Sequence, residues 1–169
     1  MEIVILSVPH TGTNFCKRLF RDLGWEDVGL NERPRQKNAF YTGHVLKQGQ
    51  IDAGLELSKS RPLLVPFRHP FRVEESWRRH KRDMDDLIPA FKALMDQIVP
   101  KNPYFMPVDS CVRELSLKHL SDGIGVPLKT TWEVIGSTGT AEMEFEDFSP
   151  SEGIRHLADE MKPLLDRWY

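Results

Sequence analysis

The chain has 169 residues, 40% hydrophobic and 28% charged, a composition that supports one folded domain with its own core and excludes long disordered tracts. With 23 basic against 25 acidic residues the net charge is −2, which argues against nucleic-acid or membrane binding through a whole-molecule field, so any anion is caught locally. No apolar stretch approaches the length of a membrane span, and Cys16 and Cys111 read as buried thiols in a reducing compartment; the expectation is a soluble, cytoplasmic, single-domain protein over residues 1–169.

The continuous β-branched run from Glu2 to Val8 predicts a buried strand. A helix follows over Thr13–Leu23, with Phe15, Leu19, Phe20 and Leu23 on one face and Gly24 as its stop. Leu30 to Asn38 is a polar loop carrying Pro34, Ala39–Leu46 a second, short strand with Gly43 inside it, and Ile51–Ser58 a short helix. Leu63–Arg68 predicts a third strand, and His69-Pro70 opens a helix that runs to Met84, proline being favoured in a first turn. Another helix covers Asp86–Ile98. The rigid Pro100–Pro107 segment leads into a short strand ending near Asp109. Val112, Leu115, Leu120 and Ile124 trace a helix stopped around Gly123 and Gly125, and Leu128–Ile135 reads as a final strand. For the last helix Ser149 is the cap, Pro150 the first helical position and Glu152 the partner in a capping box; Ile154, Leu157, Met161, Leu164 and Trp168 form its apolar stripe. Alternating strands and helices imply an α/β fold, a three-layer α/β/α arrangement with a mainly parallel sheet. Ligands bind such sheets at the carboxyl ends of their strands. The turn after the first strand, the Gly43-His44 end of the second and Arg68 at the end of the third share that edge.

Two segments there carry chemistry. The stretch Ser7-Val8-Pro9-His10-Thr11-Gly12-Thr13-Asn14-Phe15 joins a strand to a helix by a tight turn. Such a turn aims several amide N–H groups at one point and adds the positive end of the helix dipole, a setting for a phosphate or sulfate ester. Gly12 lets the backbone approach a ligand, Thr11, Thr13 and Asn14 offer short polar side chains, and His10 offers a further donor. It is not the G-x-x-x-x-G-K-[ST] loop of nucleoside triphosphatases, because no lysine appears before Lys17. The second segment, Arg68-His69-Pro70-Phe71-Arg72-Val73-Glu74-Glu75-Ser76, puts a guanidinium fork at a strand end and a hydroxyl a turn and a half into the next helix. Together they suit a phosphate; the alternative is an Arg68 salt bridge to a nearby carboxylate, for example Glu74 or Glu75.

Together the two segments resemble the sulfotransferases that use 3′-phosphoadenosine 5′-phosphosulfate. The run Pro9-His10-Thr11-Gly12-Thr13-Asn14-Phe15 resembles that family's P-[KR]-S-G-T-[TN]-[WF] loop, and Arg68 with Ser76 eight residues on resembles its second signature. Val108-Asp109-Ser110 looks like the family's strand–acidic–helix segment. The resemblance implies a fold of the P-loop nucleotide-binding type. It also implies a 5′-phosphosulfate on His10 to Asn14, a 3′-phosphate on Arg68 and Ser76, adenosine 3′,5′-bisphosphate as product, and no metal. His10 stands where the family has lysine or arginine, the residue that steadies the bridging oxygen as the sulfuryl group leaves. A base must take the acceptor proton, and histidine suits neutral pH; His44 resembles the family's base histidine in part, with Lys47 nearby. The acceptor is a small-molecule or glycan hydroxyl or amine. The rivals are a nucleotide or polynucleotide kinase, and a binding module without catalysis.

Other features have plainer readings. Arg78-Arg79-His80-Lys81-Arg82 reads as a solvated helix face, and Asp83, Asp85 and Asp86 lack the glycine and closing glutamate of a calcium loop and read as a helix boundary. His69, His80, His119 and His156 show no metal-ligand spacing. The tryptophans read as core or rim, with Trp132 the candidate to stack on an adenine.

Overall fold

The computed structural model describes residues 1–109, 113–128 and 149–169. Among them, five parallel strands form one sheet: β1 (Glu2–Ser7), β2 (Glu26–Gly29), β3 (Ala39–His44), β4 (Leu63–Phe67) and β5 (Tyr104–Pro107), in the order β2-β3-β1-β4-β5. Seven helices accompany it: α1 (Thr13–Asp22), α2 (Gln48–Ser58), α3 (Pro70–Arg79), α4 (Leu87–Ala93), α5 (Arg113–Ile124), α6 (Glu152–Glu160) and α7 (Lys162–Leu165). The expected α/β class with a parallel sheet covered on both faces is what the chain adopts.

The strand pleat explains the layers. In β1, Ile3 and Ile5 point to a cluster with Phe15, Cys16, Leu19 and Phe20 of α1 and Leu120 of α5. Val4 and Leu6 point the other way, into the larger cluster that holds Ile51 of α2, Val73 and Trp77 of α3, Phe91 of α4 and Leu157 of α6. A strand buried on both faces has no polar alternation, and hence the unbroken apolar run.

Several elements depart from the sequence reading. β2 was not expected: Glu26-Asp27-Val28-Gly29 is polar because it is an edge strand, with only Val28 buried. The helix expected to reach Met84 stops at Arg79. Lys81 takes φ 51°, its N–H meets the Arg78 carbonyl, and Arg82 N–H reaches the Trp77 carbonyl, a left-handed stop made without the usual glycine. The expected Asp86–Ile98 helix is a 3₁₀ turn at Met84–Asp86, then α4, then a wider π-type turn at Leu94–Ile98. Asp83 caps this entry by accepting from Asp85 N–H, so the acidic run is the boundary its residues suggested. The last helix begins later than Ser149-Pro150 predicts. Ser151 is its N-cap residue with no side-chain cap bond, and Glu152 is already helical, so no capping box forms. The reason is Glu74, a fully buried carboxylate on α3 that accepts from Ser151 N–H at 3.0 and 3.2 Å and so fixes where the chain turns. Most of the expected Leu128–Ile135 strand lies outside the described residues, as do Cys111 and Trp132.

Candidate active site

The sheet reverses direction around β1, whose neighbours are β3 and β4. The loops leaving β1 and β4 therefore diverge to opposite faces, and the crevice between them is where an open parallel sheet binds ligands. His10 to Asn14 lies in the first of these loops, and Arg68 with α3 in the second.

The turn after β1 has two left-handed residues, His10 at φ 68° and Gly12 at φ 103°. Gly12 is required twice over, since a Cβ there would also stand 2.7 Å from both methyl groups of Val108. Thr11 closes the turn on itself: its N–H and its hydroxyl both donate to the Val8 carbonyl, at 3.3 and 2.6 Å, and the residue is fully buried. Its part is therefore to shape the loop, in contrast to the ligand-facing role expected of it. The first helical bond of α1 runs from Cys16 N–H to the Gly12 carbonyl, so the amides of Gly12, Thr13 and Asn14 precede the ladder.

α3 holds this loop by direct contact. Ser76 Oγ lies 2.9 Å from His10 Nδ1, Trp77 Nε1–H donates to the Pro9 carbonyl at 3.0 Å, and the His80 ring sits 4.8 Å from that of His10. Residues 66 apart in sequence thus meet, and the two anion-type segments form one site.

Arg68 is salt-bridged to a carboxylate, as the alternative reading had it, but to Asp109 rather than to Glu74 or Glu75. Its Nε donates to Asp109 Oδ1 at 2.9 Å, with both side chains largely buried. Glu74 holds Arg78 and Glu75 holds Arg79. Asp109 also accepts from His69 N–H and from the Tyr169 hydroxyl. This carboxylate orients the guanidinium by Nε and leaves its terminal amino groups directed elsewhere.

His44 ends β3, directly opposite Ser7 in register. Its Nδ1 is 3.2 Å from Ser7 Oγ, which is 2.7 Å from Thr13 Oγ1. The expected base and the expected phosphate loop are therefore linked through a single buried hydroxyl.

The electrostatics are strongly one-signed. Burial first, then His80, Arg82, Arg68 and His44, pull the His10 pKa down to about 4, so His10 is neutral at pH 7. Burial, then Lys17 and Arg82, lower that of His44 against a raising hydrogen bond to Ser7.

His10, Gly12, Thr13, Arg68, Ser76 and His44 are brought to one edge, with Asn14 exposed at the helix start. Lys47 is exposed at the N-cap of α2. The sequence reading quoted Ser7 at the head of the loop without assigning it a role, and took His80 and Arg82 for a solvated helix face. The left-handed stop at Lys81 follows His80 and precedes Arg82, and both residues help lower the His10 pKa. Among the described residues no group of His, Cys, Asp or Glu could hold a metal ion, and no helix is long and apolar enough to cross a membrane. The chain matches no family model and no curated protein.

Proposed function

We propose that this protein is a small sulfotransferase that moves a sulfuryl group from 3′-phosphoadenosine 5′-phosphosulfate to a hydroxyl or amine of a small molecule or glycan. The observation that carries the reading is the Ser76–His10 contact, which joins two anion-type segments within the field of Arg68 and Arg82. The amides of Gly12 to Asn14 and the Thr13 hydroxyl hold the 5′ end of the donor. The terminal amino groups of Arg68, oriented by Asp109, and the Ser76 hydroxyl hold the 3′-phosphate. The acceptor atom attacks sulfur, the sulfur–oxygen bond to the 5′-phosphate breaks, and the acceptor proton passes to His44. Catalysis is then mainly alignment and charge stabilisation.

Neutral His10 favours one second reading, a module that binds the bisphosphate without turning over, since a neutral ring supports a leaving anion less than lysine does. Arg82 supplies the compensating charge in the catalytic reading.

Calorimetric titration with adenosine 3′,5′-bisphosphate and, separately, with Mg-ATP tests the proposal. Tight binding of the bisphosphate alone is expected, and tight binding of ATP alone makes the protein a kinase. Sulfuryl transfer from labelled donor to a panel of hydroxyl and amine acceptors then separates the enzyme from the module. Arg68→Ala should weaken the bisphosphate by about 2–5 kcal/mol, as for a lost charge partner.

A further inference from the structure

The buried hydroxyl of Ser7 occupies the one position between the donor loop and His44. It is inaccessible to solvent, ends β1, and has two side-chain neighbours, Thr13 Oγ1 at 2.7 Å and His44 Nδ1 at 3.2 Å. A serine hydroxyl has one proton to give, so the three groups must agree on a direction. The proton of Ser7 goes either to His44 Nδ1 or to Thr13 Oγ1.

A phosphate group decides between them. Its ionised oxygens only accept, so a Thr13 hydroxyl that binds one must donate outward. Thr13 Oγ1 then accepts from Ser7, and Ser7 Oγ accepts in turn from His44 Nδ1–H. The second ring nitrogen, Nε2, is left with its lone pair. We infer that Ser7 is a positioning residue through which an anion on Thr13 sets the His44 tautomer, so that seating the donor makes Nε2 the basic atom. With no anion bound, Ser7 can donate to Nδ1 instead, which puts the ring proton on Nε2 and leaves the ring without a basic nitrogen facing the acceptor. The Ser7 carbonyl also faces His44 and strengthens the Nδ1–H form once it is established.

The inference rests on the sulfotransferase reading for the identity of the anion, but the hydroxyl link is testable without it. The measurement is the imidazole ¹⁵N–¹H correlation spectrum of His44, assigned with His44→Gln, in the full chain alone and saturated with adenosine 3′,5′-bisphosphate. In the saturated wild-type protein Nδ1 should carry the proton and Nε2 should show the downfield shift of an unprotonated nitrogen. In saturated Ser7→Ala a population with the proton on Nε2 should persist, and Ser7→Thr, which keeps the hydroxyl, should restore the wild-type pattern. A saturated wild-type protein with its proton on Nε2 overturns the inference, as does a Ser7→Ala spectrum identical to wild type. If calorimetry shows that the bisphosphate does not bind, the sulfotransferase reading and the ligand half of the inference fall together. The ligand-free pair of spectra then decides the link itself, because an Nδ1 resonance unmoved by Ser7→Ala means that the hydroxyl does not reach the ring.

Discussion

Gly12 shows how much one residue carries at this edge. Its φ of 103° serves the loop, and its missing Cβ leaves room for Val108 beyond the end of β5. Gly12→Ala should destabilise the fold by about 1–3 kcal/mol, read from urea unfolding, because overpacking against Val108 adds to the backbone penalty. It should also abolish bisphosphate binding under conditions where the variant is still folded, since the amides that follow are re-aimed. Wild-type affinity in folded Gly12→Ala would mean that the loop is not the anion site. The sequence made Gly12, Arg68 and Ser76 legible because their residue types and spacing are tied to a phosphate-like guest. Ser7 and Asp109 stood in the named segments without a role of their own, because those roles come from register and from a partner 41 residues away. Thr11 shows the limit in the other direction: its place in the motif is clear, but only the turn geometry reveals that its hydroxyl faces inward.

At the scale of elements, α3 is the beam that sets the crevice. One end carries Arg68 and the cap His69, the middle carries Ser76 and Trp77 against the loop, and the far end turns left-handed to present Arg82. Its buried Glu74 pins the start of α6. Glu74→Ala leaves Ser151 N–H without its carboxylate acceptor and removes one partner of Arg78, and should lower stability by about 1–3 kcal/mol in chemical denaturation. Because α3 also braces the loop, bisphosphate affinity should fall with it; unchanged unfolding would mean that the tie is dispensable. The long buried strands and amphipathic helices were readable because their periodicity reports the layer they face. β2 was not, since a four-residue edge strand buries one side chain. The end of α3 was missed because a lysine holds the left-handed position that glycine usually marks.

For the whole molecule, a net charge of −2 conceals an uneven distribution, and the consequence is a pH dependence. His10, His44 and His69 all have pKa values below that of an ordinary histidine, each chiefly through burial, with neighbouring cations adding to the effect and Asp109 opposing it at His69. Above pH 6.5 these rings are neutral folded or unfolded, and they contribute nothing to the pH dependence. As the pH falls below 6.5 the unfolded chain takes up protons that the folded chain refuses, so stability declines, for His10 down to about pH 4. The upper part of this window lies above the range in which carboxylates protonate and belongs to histidine. The urea midpoint should therefore fall between pH 7 and pH 5, and His10→Asn should make the fall shallower; equal slopes would mean that His10 is not held neutral. A bound polyanion opposes the smaller, electrostatic part of the His10 shift by offsetting Arg68 and Arg82, which raises the His10 pKa from its depressed value. Near pH 6, bisphosphate binding should then take up more protons, or release fewer, in wild type than in His10→Asn, whatever the phosphates themselves exchange. Calorimetry at pH 6 in buffers of different ionisation enthalpy counts those protons. A count in wild type equal to that in His10→Asn would place the anion away from His10.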